Sequence, residues 1–256
     1  GAMAVVKNEI PILEHDHELV SVIMPNRKKE YQFPQLAVFP FLMDEIEKFA
    51  QDNSCEKIGE FESATKLYPI YKVNYRGHDV CMVQAPVGAP AAVQILEYLI
   101  GYGATKIISA GSCGALRQFQ ENEFLVPIEA LRDEGTSYHY LPPSRTVSLN
   151  KQGVAAVKSA LEENGIPYEE CKSWTTDGFY RETKDMVEYR KAEGCSVVEM
   201  ECSALAACAE FRGAVFGQAL YTADTLADVD QHDERGWGLS SLPAALKVCL
   251  DAVIQL

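Results

Sequence analysis

Apolar runs rich in β-branched residues alternate with amphipathic runs along most of this chain, and that alternation constrains the fold more than any other feature. Strand followed by helix, repeated, points to an α/β protein whose mostly parallel sheet is covered on both faces. Leu19–Met24 reads as a first strand ended by Pro25. Leu67–Val73 and Val80–Gln84 read as a hairpin turning at Arg76 and Gly77. Pro90 opens an amphipathic helix with Val93, Leu96, Leu99 and Ile100 on one face, closed by Gly101 and Gly103. Lys106–Ala110 is the next strand. Further strands are expected at Glu169–Trp174, Cys195–Val198 and Ala214–Thr222, and further helices at Gly153–Asn164, Thr183–Ala192, Ser203–Phe211 and Leu242–Ile254. No internal repeat, low-complexity tract or linker interrupts the series. A single domain over residues 4–256 is expected, with Gly1–Met3 read as a cleavage scar.

The chain has 256 residues, 47% of them apolar, enough to bury one sizeable core. Its net charge of −14 argues against binding nucleic acid through phosphates and against an anionic membrane surface. A small anion held locally by backbone N–H groups stays compatible with that charge. No segment approaches the roughly 18 to 20 apolar residues that span a bilayer, and no cationic-then-apolar leader is present, so a cytoplasmic location is expected. Among the eight cysteines there is no C-x-x-C pair, so free buried thiols are expected rather than a metal or disulfide framework.

Open α/β sheets bind ligands beyond the carboxyl ends of their strands, so chemistry is expected there. Lys106–Ala110 runs into Gly111-Ser112-Cys113-Gly114, where glycines permit close backbone approach and N–H groups with one hydroxyl can hold an anion. An ordinary strand-to-loop turn has the same composition. Cys195–Val198 delivers Glu199, Met200 and Glu201. Residues at i and i+2 of an extended segment point the same way, so both carboxylates can face one pocket, and a carboxylate suits a vicinal diol. Glu201 can equally be a first-turn helix acid stabilised by the dipole. Asp224 follows the apolar run 214–222 and is either a helix cap or a desolvated proton donor. Phe179 and Arg181 offer an aromatic face and a guanidinium to a planar base, or Phe179 packs in the core.

From about Val80 to the C-terminus the chain resembles the purine nucleoside and uridine phosphorylase family, whose relatives include methylthioadenosine nucleosidases. The resemblance is carried by Ala104–Leu116, Arg132–Tyr140, Thr175–Arg181, Val197–Leu205 and Tyr221–Thr225. It implies a three-layer α/β domain, with a central twisted, partly barrel-like mixed sheet flanked by helices, and a homodimer or homohexamer. It implies phosphorolysis of a nucleoside, giving a free base and pentose 1-phosphate, with inorganic phosphate as co-substrate and no metal or organic cofactor. By the same resemblance Glu201 would bind the ribose hydroxyls, Met200 would pack on the sugar and Phe179 would line the base site. Arg181, Glu199 and Gly88 would complete the substrate site. Gly111 and Ser112 would face phosphate. Asp224 matches the acid with which purine-cleaving members protonate the base, whereas Arg132–Tyr140 and Phe179–Arg181 resemble the uridine-cleaving side, so the base stays open.

The chain also departs from the family pattern. Phosphorolytic members carry Gly-Asp-Pro and then an arginine after the first strand; read against Leu19–Met24, that stretch is Pro25–Glu30, and Arg27 or Lys28 would have to substitute. They carry another arginine two residues before the glycine of the Gly-Ser turn, where this chain has Ser109. The turn ahead of the first long helix is altered as well, at Ala85–Pro90. Arginine forks are the usual holders of a phosphate dianion. Two alternatives therefore accompany phosphorolysis: a nucleosidase using water, with Glu14 or Glu30 as candidates to activate it, and a nucleoside-binding or storage protein without turnover. His139 is either a surface residue or close to a neighbouring subunit's site. His15 and His17 stand near where relatives place a histidine reaching a partner's 5′-hydroxyl. The acidic stretch Asp228–Glu234 is a lid or a solvated turn.

Overall fold

A computed structural model describes residues 4–27, 30–120, 123–225 and 242–256, the last two residues of the third stretch by backbone alone. The N-terminal arm holds a two-residue ladder of β1 (Val5–Val6) against β2 (His15–Asp16). The main sheet begins with β3 (Leu36–Val38), followed by α1 (Glu45–Asp52), β4 (Glu56–Glu62), β5 (Leu67–Tyr75), β6 (His78–Met82) and α2 (Ala89–Gly101). Then come β7 (Lys106–Ala115), β8 (Phe124–Asp133), β9 (Thr146–Ser148), α3 (Lys151–Glu163), β10 (Tyr168–Thr176) and α4 (Lys184–Ala192). The chain closes with β11 (Val197–Glu199), α5 (Cys202–Arg212), β12 (Val215–Thr225) and α6 (Leu242–Val253).

The strand order is β11-β10-β8-β12-β7-β3-β6-β5-β4, and β11 also pairs with β7. That second pairing, Val197 with Ala115 and Val198 with Gly114, closes β11, β10, β8, β12 and β7 into a barrel. Closure removes the free edge that β11 would otherwise present. The sheet is mixed, as the family resemblance implies, and not mostly parallel as the strand–helix alternation alone suggests. β12 runs antiparallel to β8, β11 to β7, and the β4-β5-β6 meander is antiparallel throughout.

Alternation along β7 divides the core. Ile107 faces the side packed by α2 and α5, with Leu96, Leu99, Leu205 and Phe216. Ile108 and Ala110 face the other side, packed by α3 and α6, with Val157, Leu161, Leu246 and Leu250. Helix α5 is buried almost all round, and its small residues let it sit between α2 and the barrel. α3 lies so close on β12 that a Cβ added to Gly217 would come within 2.6 Å of the Gly153 carbonyl oxygen.

Two strand expectations change, and one long strand goes unpredicted. Leu19–Met24 forms no strand: Val20, Val22 and Ile23 lie exposed on the surface, paired with nothing in the sheet. The first sheet strand is β3, and its continuation Phe39–Phe41 hydrogen-bonds along β7 through the Phe39 and Phe41 N–H groups. Gly111–Gly114 is not a loop but the second half of β7, because β12 and β11 pair with it on either side. β8 escapes a propensity reading because Pro127 interrupts it. Opposite Pro127 the ladder slips by one residue between Cys171 and Lys172, which accommodates the missing N–H.

Candidate active site

The carboxyl ends of β7, β10, β11 and β12 converge on one cleft with about 750 Å³ of empty space, counted to its open mouth. Gly111, Ser112, Cys113 and Gly114 form one wall, and Val198, Glu199, Met200 and Glu201 another. Phe41 and Val87 close one side, Phe179 and Glu182 the other, with Gln218 and Ala223 on the β12 side. Such a concave site, mostly apolar with a few convergent polar groups, suits a small polar ligand.

Glu201 is positioned by two elements. It is the residue from which α5 starts, and it is buried. Its carboxylate accepts a hydrogen bond of 2.7 Å from the Gly88 N–H, at the start of α2. Gly88 has φ 101° and ψ 136°, a conformation that side chains disfavour, and this aims its N–H at the carboxylate. Burial, and then the neighbouring charge of Glu199, push the Glu201 carboxyl up to about 8, while the Gly88 N–H pulls the other way.

Glu199 also reaches the cleft wall, but four protein donors converge on its carboxylate. They are Thr175 Oγ1 at 2.9 Å, the N–H groups of Glu201 at 2.8 Å and Cys202 at 2.5 Å, and the Ser173 hydroxyl. Burial raises this carboxyl and the hydrogen bonds oppose the rise. With both oxygens engaged, Glu199 ties β10 to the turn that carries Glu201. The tie extends outward. The Ser203 N–H donates to Thr175 Oγ1, and its hydroxyl donates to Glu134. Glu134 accepts the Ser137 N–H, and Arg132 Nε donates to Ser137 Oγ. Arg132, Glu134 and Ser137 of the Arg132–Tyr140 segment therefore brace the site from behind.

Met200, Gly111, Ser112 and Phe179 line the cleft, and Gly88 touches it through Glu201. Arg181 is exposed at the end of a short turn of helix, outside the lining. Arg27 is exposed in a separate groove with Met24, Pro25, Glu60 and Tyr102, so the structure does not bring it to the cleft. The stretch after the true first sheet strand is Phe39–Phe41, and Phe41 is what that strand end contributes. Asp224 lies in β12 with its backbone in register with Gly114 of the cleft wall. Its side chain, like Lys28 and Asp228–Glu234, lies outside the described residues. His139 lies in another groove, beside Asp16 and Arg212. Among the described residues, no lysine or arginine lines the cleft and no cluster of three metal-ligating side chains occurs. No described helix is long and apolar enough to cross a membrane.

Sequence reasoning passed over Phe41, Val87, Glu182 and Gln218. Gln218 interrupts the apolar run of β12, the only trace it leaves in the sequence. It is 2% exposed and its Oε1 has no hydrogen-bond partner; neighbouring Ser109 is fully buried and its hydroxyl has none either. A buried polar group left unpaired costs on the order of 1–3 kcal/mol, so two side by side call for an explanation.

Barrel, cleft and buried carboxylates together define a class: an α/β protein with a cleft suited to a small polar ligand at the carboxyl ends of its strands. The family model described as the phosphorylase superfamily matches residues 35–255, and the chain belongs to that superfamily, as an enzyme of it. A guanosine phosphorylase from Halorubrum lacusprofundi is 25% identical over 191 residues, 74% of this chain and 78% of that one. A purine nucleoside phosphorylase from Toxoplasma gondii, solved with immucillin-H, superposes with a TM-score of 0.75 at 23% identity, covering 90% of this chain and 94% of that one. An AMP nucleosidase from Bacteroides thetaiotaomicron superposes with a TM-score of 0.70 at 22% identity, covering 87% and 88%. The two structural likenesses show the fold.

Proposed function

We propose that this enzyme cleaves the N-glycosidic bond of a nucleoside and releases the free base. The observation that carries the reading is Glu201: a buried carboxylate, fixed at the Gly88 N–H, opening onto a cleft beside Met200 and Phe179. A carboxylate there accepts hydrogen bonds from both hydroxyls of a vicinal diol. As the bond to the base lengthens, the sugar gains positive charge. That charge favours the ionised form of Glu201, so the carboxylate binds the transition state better than the ground state. Met200 packs on the sugar and Phe179 on the base. Asp224, on a strand in register with Gly114, supplies the proton to the departing base, a contribution of roughly 10² to 10⁴ in rate. Glu199 holds the turn and makes no contact with substrate.

Phosphorolysis has the support of the named phosphorylase relatives, with phosphate beside Gly111 and Ser112. A second reading, hydrolysis, is favoured by the lining itself. Among the described residues the cleft is lined by three glutamates, Glu182, Glu199 and Glu201, and by no lysine or arginine that could fork a phosphate dianion.

The test is a panel of purine and pyrimidine nucleosides, each assayed for base release with and without phosphate. Release of at least one base is expected. Tight nucleoside binding with no product under either condition would overturn the reading.

A further inference from the structure

We propose, on the nucleoside-cleaving reading above, that Gln218, which lines the cleft, and Ser109, its buried neighbour on β7, form an uncharged subsite at the base of the cleft that seats one water molecule as the attacking nucleophile. The two residues are register partners on the parallel strands β7 and β12, so their side chains emerge side by side on one face. Around them that face is apolar: Ile107 and Phe216 below, Cys113 and Leu220 above. The Ser109 hydroxyl and the Gln218 Oε1 are buried without a hydrogen-bond partner, and Gln218 lines the cleft. Two residues along from Ser109 is Gly111, which has no side chain to roof the pair. The Phe41 side chain packs over Gly111, within 3.3 Å of where a Cβ would stand, and keeps the space above the pair small.

The chemistry of the pair selects its occupant. A hydroxyl both donates and accepts, an amide does the same, and neither carries charge. Buried water needs two to four polar partners in a site of its own size. This floor supplies two, and the incoming sugar a third. A dianion would instead find neutral groups at the base of the cleft and, among the described residues, no lysine or arginine on the walls. The step balances with no further reactant. The water oxygen bonds to the anomeric carbon as the carbon–nitrogen bond breaks, and the electron pair of that bond stays on the base nitrogen. Gln218 Oε1 accepts one hydrogen bond from the water and turns its lone pair toward the sugar. One water proton passes to solvent in the cleft while the base takes one from its donor, leaving free pentose and neutral base.

The experiment measures base release and sugar product for the best nucleoside of the panel, with and without inorganic phosphate, in the unmodified enzyme, Gln218→Leu and Ser109→Ala. The expected result is free pentose at a rate that phosphate leaves unchanged. Gln218→Leu should lower kcat roughly 10-fold to 100-fold with nucleoside KM within about two-fold, because the water loses its orientation while the sugar keeps its contacts. Thermal stability of that variant should hold or rise, since an unpaired amide is removed from an apolar row. Ser109→Ala deletes a single oxygen and carries the same test should leucine at 218 fail to fold. Phosphate-dependent release of pentose 1-phosphate overturns the water subsite and leaves bond cleavage standing. Unchanged kcat in both variants overturns the assignment to this pair. No base release from any nucleoside overturns the nucleoside reading itself.

Discussion

Glu201 is a carboxyl group that its surroundings make hard to ionise. Its ordinary value of 4.5 is pushed up to about 8 by burial and by Glu199. Between those values the folded protein holds a proton that the unfolded chain has lost, so this group makes stability fall as pH rises across that window. Glu201→Gln removes the titration. Its melting temperature should match that of the unmodified protein near pH 5 and exceed it at pH 8, while base release slows; thermal denaturation at the two pH values checks this. Asp224→Asn should leave nucleoside KM within a few-fold and lower kcat by about 10² to 10⁴ if this residue protonates the base. Steady-state kinetics on a purine nucleoside measures it, and an unchanged kcat would remove Asp224 from the mechanism. At this scale the sequence was informative where residues form a compact motif. Glu199, Met200 and Glu201 can be picked out by spacing alone. What spacing does not reveal is which carboxylate is spent on the protein. Glu199 and Glu201 differ only in their donors, and those come from β10 and from the start of α2.

Among the elements, the turn into α2 and the contact of α3 with β12 are the sensitive ones. Gly88→Ala places a side chain at φ 101°, and a strained backbone of this kind costs of order 1–3 kcal/mol. Because the same N–H holds Glu201, the variant should lose both stability and nucleoside affinity, measured by denaturant unfolding and by KM. A variant with lower stability but unchanged KM would show that Gly88 does not set the carboxylate. Most helices were legible because they bury one stripe and end at a glycine or a capping residue. Asn150 and Thr183 cap α3 and α4 through their side chains, and Gly213 ends α5 in the left-handed conformation. Strands were less legible, because a β-branched run has the same composition whether or not a partner strand meets it. Leu19–Met24 meets none, while the short β3 is flanked on both sides by β6 and β7. Missing β3 displaced the counterpart of the family's Gly-Asp-Pro stretch onto Pro25–Glu30, and with it hid Phe41. Gln218 stayed hidden because a single polar residue in an apolar strand does not announce which face it occupies.

For the molecule as a whole, closure of five strands into a barrel turns separate strand ends into one site. The carboxyl ends of β7 and β12 lie side by side through their parallel pairing, and β11 locks across β7 to bring Glu199–Glu201 onto the same cleft. The net charge of −14 adds a long-range field to the carboxylates at the cleft. Neutral nucleosides should show a KM that ionic strength barely changes. Nucleoside 5′-monophosphates should bind more weakly at low salt and improve as salt screens that field. KM measured for both substrates from low to moderate ionic strength checks this, and equal salt dependence would contradict it. The most direct test of the account is the preference for a ribonucleoside over its 2′,3′-dideoxy counterpart, taken as the ratio of kcat/KM values in the unmodified enzyme and in Glu201→Gln. Dividing one ratio by the other cancels the intrinsic reactivity of the two sugars. A preference that falls by about 10-fold or more in the variant is the predicted result, as expected when a buried charged acceptor loses its diol. The same preference in both enzymes would contradict a sugar held by Glu201.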